Sequence, residues 1–262
     1  MTVSDPDLPD TLGARMTCDS DVELARLLAT HAGVILLRLR TRKPVPASRL
    51  RADGDRRSHD FLVSALAKLR PADAVLSEEG ADDHARLTAR RVWIVDPLDG
   101  TREYAEIDRD DWAIHVALWE DGDLVAGAVA LPGLGPTLSS EQPPRLRPAP
   151  PQTRILVSRS RPPAYAEAVA KAVGAELVPM GSAGAKAMAV VRGQAEVYLH
   201  DGGQYEWDSA APVVVARAAG LHTSRVDGSP LRYNNASPYQ PDLLICRPEL
   251  AADLLAAIAA NR

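Results

Sequence analysis

Asp96-Pro97-Leu98-Asp99-Gly100-Thr101 is the stretch of this chain best suited to chemistry. Two carboxylates three positions apart follow an apolar, β-prone run, Val92 to Val95, and precede Gly-Thr. A short apolar run closed by Pro and Gly reads as a buried strand feeding a turn, so both side chains can enter one cleft. Carboxylates held that close repel one another and resist burial unless cations accompany them. Mg²⁺ suits them, since it takes carboxylate oxygens at about 2.0–2.1 Å and keeps water and phosphate in its other positions. Gly100 permits close backbone approach to a ligand. Thr101 is placed to cap a following helix whose free N–H groups attract phosphate. An ordinary β-turn with an Asx cap is the competing reading of a lone D-x-x-D-G.

Other candidates stand at predicted element ends. Glu78 and Glu79 follow a short strand, Ala74–Ser77, which brings Glu78 and Asp96 to neighbouring strand ends. In Tyr205-Glu206-Trp207-Asp208-Ser209-Ala210-Ala211-Pro212, Asp208 sits where a helix begins, as an N-cap or as a ligand. Arg40 to Ser58 is basic, contains Pro44 and Pro46, and reads as a loop. It is either a solvated connection or a mobile arm presenting Asp60, at the start of the helix marked by Phe61, Leu62, Ala65, Leu66 and Leu69, to the cleft. His31 lies on the apolar face of a helix that opens with a Ser20–Glu23 capping box, and it reads as a core or partly buried histidine and not as a ligand.

The elements that must position these residues change rhythm along the chain. Trp112, Ile114, Val116 and Leu118 alternate, and an Asp-Gly turn leads to the apolar run Leu124 to Leu131, a hairpin pattern. Pro132 to Pro151 is dense in Pro and Gly and reads as an extended connection. Beyond it, strands (Arg154–Ser158, Ala175–Pro179, Ala195–Leu199, Asp242–Cys246) alternate with helices (Pro162–Val173, Ala185–Arg192, Ser209–Ala219, Pro248–Ala260). The expectation is an N-terminal α+β half, residues 1–140, and a C-terminal α/β half, residues 141–262, meeting at a cleft.

Composition narrows the function classes. With 262 residues, 46% hydrophobic and 25% charged, the chain is of ordinary globular type. A net charge of -5 argues against a nucleic-acid or anionic-membrane surface. Cys18 and Cys246 have no metal-ligand spacing and form no disulfide framework, which favours a reducing cytoplasm. Met1 to Pro9 lacks a signal-peptide pattern, and no apolar stretch approaches a membrane span.

Taken together, Asp96 to Thr101, the upstream Glu78-Glu79 and the downstream Trp207 to Ala211 resemble the inositol monophosphatase superfamily in order and rough spacing, from Ser20 onward. The resemblance implies a layered αβαβα sandwich of the inositol monophosphatase/fructose-bisphosphatase type, combining α+β and α/β features. It also implies a Mg²⁺-dependent, lithium-sensitive phosphomonoesterase with two ions and a weaker third. Position by position, Glu78, Asp96 and the Leu98 carbonyl would hold one ion, and Asp96, Asp99 and Asp208 a second, the third leaning on Glu78. Thr101, backed by Asp60, would orient and deprotonate the attacking water, and the N–H groups of Gly100 and Thr101 would cradle the phosphate. The chain departs from the family pattern in the arm. Arg51-x-Asp53 stands for the usual Lys-x-Asp, and Ser58-His59-Asp60 is one residue short.

Within the superfamily, Gly181 to Lys186 and Gly202 to Asp208 resemble CysQ-type enzymes. That likeness implies removal of the 3′-phosphate from 3′-phosphoadenosine 5′-phosphate in sulfate assimilation. Ser182 and Lys186 would then face substrate, with Lys186 on the second phosphate, and Tyr205 or Tyr233 would stack on adenine or else simply cap a strand. The alternative is an inositol-1-phosphate phosphatase in which Glu206 grips sugar hydroxyls; fructose-1,6-bisphosphate and histidinol phosphate are further substrates of the same fold. Family members also often pair as homodimers.

Overall fold

Strands that are apolar at successive positions are needed where a sheet is covered on both faces, and this chain builds two such sheets. The computed structural model describes residue 18 and residues 20–41 and 45–262. The start of the chain, Met1 to Pro9, lies outside the described residues. The first sheet has the order β1 (Ala74–Ser77), β2 (Arg91–Asp99), β3 (Ala113–Glu120), β4 (Asp123–Ala130), β5 (Thr137–Ser139), with β1 parallel to β2 and the rest antiparallel. The second sheet has the order β7-β6-β8-β10-β9, from β6 (Arg154–Ser158), β7 (Glu176–Met180), β8 (Val197–Tyr205), β9 (His222–Ser224) and β10 (Tyr239–Cys246).

The pleat divides these runs between cores. Trp93 and Val95 of β2 join Ile114, Val116 and Leu118 of β3 under two outer helices, α1 (Asp21–Arg40) and α2 (Ala47–Leu69). Val92 and Ile94 point the other way, into a central core shared with Tyr198, Leu243 and Ile245 of the second sheet. Two helices fill that centre, α5 (Ala183–Val191) and α6 (Glu206–Ala218). Leu199, Leu244 and Cys246 pack on the far side under α4 (Ala166–Ala172) and α7 (Ala251–Asn261). The result is an αβαβα sandwich, as expected. Close approach at the centre depends on a missing side chain, because a Cβ on Gly127 of β4 would overlap Val214 of α6.

Three expectations change. From Ala47 onward the expected arm is helix and not loop: α2 begins at Ala47, with Pro46 as N-cap, and runs through Asp60 to Leu69. Its charges pair along the helix, Asp53 with Arg49 (3.5 Å) and with Arg56 (3.2 Å). Gly54 lies in its interior because a Cβ there would meet Tyr104 at 2.9 Å and Leu98 at 3.0 Å. The Pro132 to Pro151 connection also contributes β5, which pairs with β4 while Ser140 N–H donates to the Gly127 carbonyl. Ser20 caps α1 by accepting from Glu23 N–H at 3.4 Å, yet the Glu23 carboxylate closes on Arg26 instead of completing the box. His31, half-buried, bonds through Nδ1 to the Leu27 carbonyl at 2.8 Å, as a packing histidine should. The Asp121-Gly122 hairpin turn is borne out, with φ of 48° and 105°.

Candidate metal centre

Asp96 and Asp99 reach one place because β2 is bulged. Asp96 pairs with His115 and Asp99 with Ala113, so three steps on β2 match two on β3. Residues three apart in an unbroken strand face opposite sides; the bulge re-phases them. Ser58 of α2 holds the bulge, its Oγ donating to the Pro97 carbonyl at 2.6 Å. Within it, Leu98 N–H donates to Asp96 Oδ1 at 3.0 Å. Gly100 follows at φ 82° and serves as N-cap of the short helix α3 (Thr101–Ala105), so Thr101 is the first helical residue and not the cap.

Asp208 arrives from α6. It is the third residue of that helix, with Tyr205 as N-cap, and its Oδ2 accepts from Tyr205 N–H at 2.7 Å. Ligand oxygens of Asp96, Asp99 and Asp208 lie within 4.8 Å of one another. Glu78, just past the end of β1, lies beside Asp96, close enough for each carboxyl to act on the other. Four side chains that the sequence singles out are thus brought together, from β2, from α6 and from just past the end of β1.

Their electrostatics differ. Burial, then the charges of Glu78, Asp99 and Asp208, hold the Asp96 carboxyl well above the ordinary carboxylate range. Crowding out of water and the fields of Asp99, Glu79 and Asp55 push Glu78 up to about 7, and burial with Asp99 does the same to Asp208. Asp99 behaves oppositely. Burial opposes its charge, but His115, Ser182 and Lys186 bring it down to about 2. Its carboxylate sits on the start of α5, accepting from Ser182 Oγ, from Ala183 N–H at 3.1 Å and from Gly184 N–H at 2.7 Å. Ser182 adopts a positive φ of 52° to do this while also capping α5 through Ala185 N–H at 2.9 Å. An all-oxygen, carboxylate-rich donor set whose members raise one another's proton affinity fits a hard divalent cation.

Several expected site residues stand elsewhere. Asp60 is exposed on α2, five positions beyond Asp55, which helical geometry turns to another face. Asp55 is the residue in the field of the cluster, pushed up to about 7 by burial and by Glu79. Glu206 is fully buried and accepts from Asn234 N–H (2.7 Å), Asn235 N–H (2.9 Å) and Asn235 Nδ2 (2.8 Å), so it clamps a loop and cannot grip a sugar. Lys186 is buried too. Its ammonium folds back onto the carbonyls of Ser182 (2.5 Å) and Gly181 (3.2 Å), and its charge acts on Asp99 from behind the turn. Tyr233 is buried with its hydroxyl on Ser209, whereas Tyr205 is exposed and stacked on Trp207 at 4.9 Å.

Sequence reading missed Asp55 and His115. Helical spacing carries a signal for the first, because Asp55, Ser58, Leu62 and Leu66 share one stripe once the helix is extended upstream. His115 stands out only as the polar member of the Ala113-His115-Ala117 face of a strand buried on both sides.

The comparisons with known proteins agree with this geometry. Residues 46–261 match the inositol monophosphatase family. The 3′-phosphoadenosine 5′-phosphate phosphatase of Mycobacterium bovis is 52% identical over 217 residues, spanning 79% of this chain and 80% of its own. Its counterpart in Mycobacterium leprae is 48% identical over 253 residues, 91% and 93% of the two chains. Among solved structures, inositol monophosphatase II from Staphylococcus aureus MSSA476 superposes with a TM-score of 0.75 at 23% identity over 89% of this chain and 94% of its own. CysQ from Bacteroides thetaiotaomicron gives 0.73 at 25% identity over 86% and 96%. By sequence and by fold, the chain belongs to the inositol monophosphatase family.

Proposed function

We propose that this protein is a Mg²⁺-dependent phosphomonoesterase that hydrolyses the 3′-phosphate of 3′-phosphoadenosine 5′-phosphate to give AMP and phosphate. The meeting of buried Asp96 and Asp99 with half-buried Asp208, beside Glu78, carries the hydrolytic part of the reading. The nucleotide substrate rests on the relatives at 52% and 48% identity.

In this reading Glu78, Asp96 and the Leu98 carbonyl would hold one ion, and Asp96, Asp99 and Asp208 a second, with Glu78 supporting a weaker third. When bound, the ions neutralise phosphoryl charge, ease the loss of a proton from water and steady the departing oxygen. The Thr101 hydroxyl orients the attacking water. Asp55, in the electrostatic field of Glu78 and Glu79, takes the proton-accepting place expected of Asp60. The water gives a proton to Asp55 as its oxygen bonds to phosphorus, the bond from phosphorus to the 3′ oxygen breaks, and that oxygen takes up a proton from solvent. Backbone N–H groups of Gly100 and Thr101 face the phosphate, at a position where positive φ turns the chain toward the cleft. Tyr205 offers an exposed aromatic face next to Asp208 for the purine. Lys186 supports the anionic site through Asp99 without touching the second phosphate. The free thiols of Cys18 and Cys246 accord with a reducing cytoplasm, and Li⁺ is expected to inhibit by competing at a metal position.

The test is phosphate release from 3′-phosphoadenosine 5′-phosphate with Mg²⁺, with a chelator, and in Asp96→Asn. Activity is expected only with Mg²⁺, and the variant should lose about a thousandfold or more, the scale of several kcal/mol of charge stabilisation. Full activity in chelator or in the variant contradicts the reading.

A further inference from the structure

His115 is fully buried at the centre of the sandwich, on the face of β3 that looks toward α5 and α6. A histidine so placed must find partners for both ring nitrogens. Nδ1 lies 2.9 Å from the carbonyl of Trp207, the residue immediately before Asp208. A carbonyl only accepts, so Nδ1 carries a hydrogen and donates it. Nε2 makes no aligned hydrogen bond, yet it stands 3.3 Å from Asp99 Oδ2, while Nδ1 is also 3.9 Å from Asp96 Oδ2. One ring thus touches the backbone that carries Asp208, the carboxylate of Asp99 and the edge of Asp96.

The surrounding sequence makes room for that ring. A Cβ on Gly184 would overlap His115 Nε2, and Gly184 N–H itself donates to Asp99 Oδ2 at 2.7 Å. Glycine at 184 therefore serves two contacts at once: it lets the helix start reach the carboxylate, and it admits the imidazole behind that carboxylate. Ala113, two residues away on the same face, is small for the same reason, its Cβ lying 3.0 Å from the place of a Gly184 Cβ. Packing alone would be met better by an apolar side chain, which would leave no polar atom buried without a hydrogen bond.

We infer that His115 is a positioning residue for the cation site, a brace that fixes Asp99 from β2 and the start of α6 carrying Asp208 at one spacing. It rests on the reading of the carboxylate cluster as a divalent-cation site. The ring touches no substrate and acts through the carboxylates it holds. Groups behind metal ligands commonly change metal affinity ten- to a hundredfold when removed. His115 differs from the other partners of Asp99 in that it links two ligand-bearing elements; Ser182, Ala183 and Gly184 belong to α5 alone.

The experiment measures Mn²⁺ binding directly, by electron paramagnetic resonance of the free ion, in wild type, His115→Asn, His115→Gln and His115→Leu, with melting temperatures recorded alongside. Asparagine can keep the bond to the Trp207 carbonyl but loses the reach to Asp99. Leucine loses both, and glutamine can extend toward Asp99. Expected are Mn²⁺ affinities at least about tenfold weaker in His115→Asn and His115→Leu, with partial recovery in His115→Gln. Phosphatase activity should be regained at raised Mg²⁺ with little change in substrate KM. Gly184→Ala, which drives a methyl into the ring, should weaken Mn²⁺ in the same way. Wild-type affinity in a folded His115→Asn overturns the inference and leaves the cation site standing. A wild type that takes up no Mn²⁺ overturns the cation site itself and the brace with it. His115→Asn keeps the test open should His115→Leu fail to fold.

Discussion

Asp55 and Asp60 lie on the same helix, and only their phase separates a residue in the field of Glu78 and Glu79 from one in solvent. Asp55→Asn should lower kcat about a hundredfold, the usual scale for losing a proton acceptor, while Asp60→Asn stays within about twofold of wild type under the same assay. A steady-state comparison in which Asp60→Asn is the damaged variant would return the role to the residue first expected. At this scale the carboxylates that meet were legible and their supports were not. Asp96, Asp99 and Asp208 sit at strand and helix ends, which sequence marks with Pro, Gly and capping residues. Glu206 and Lys186 looked equally chemical, yet a loop clamp and a carbonyl turn consume them. Those partners are distant in sequence, or set by a turn whose strained Ser182 φ no motif announces.

At the scale of elements, α6 begins under a network that crosses the molecule. Glu206 holds Asn234 and Asn235, and the fully buried Arg86 binds Asn234 Oδ1 at 2.7 Å, the Asn235 carbonyl at 2.9 Å and Asp82 at 2.6 Å. Removing the carboxylate leaves two backbone N–H groups without acceptors. Glu206→Ala should therefore cost about 1–3 kcal/mol, seen as a lower denaturation midpoint, with substrate KM within about twofold. An unchanged midpoint with a raised KM would put Glu206 back in contact with substrate. Long elements were readable from periodicity: α1, β3, β4 and α6 fall close to where apolar spacing puts them. The first turns of α2 were not, because charged residues, Pro44 and Pro46 look like a loop until the i to i+4 pairs of Asp53 are seen. The three-residue strands β5 and β9 exist only through their neighbours in the sheet.

For the whole molecule, the five layers bring elements far apart in sequence to one anionic centre, and the fold carries that repulsion when no cation relieves it. Asp55, Glu78 and Asp208 titrate near 7 in the folded chain, against ordinary values of 3.8, 4.5 and 3.8. The folded state then binds more protons than the unfolded one between these limits, so their contribution to stability is present at low pH and is lost as pH rises through about 7. Protons and cations compete for the same oxygens. The rise in melting temperature on adding Mg²⁺ should accordingly be larger at pH 8 than at pH 6. Equal shifts at both values would mean that the ion binds away from these carboxylates. The layer order was legible only through the family resemblance; its physical reason, that β2, β3 and β10 turn alternate residues to two cores, shows once the sheets are in place. That α5 and α6 of the second half pack on the first sheet was not, since no local pattern states which face a buried, alanine-rich helix will cover.

The most direct measurement is kcat/KM for phosphate release, with saturating Mg²⁺, on 3′-phosphoadenosine 5′-phosphate and inositol 1-phosphate side by side. A preference for the nucleotide of about a hundredfold or more, equivalent to roughly 2.7 kcal/mol at the transition state, is the predicted result. Equal rates, or a preference for the inositol ester, would leave the cation site intact and contradict the proposed substrate.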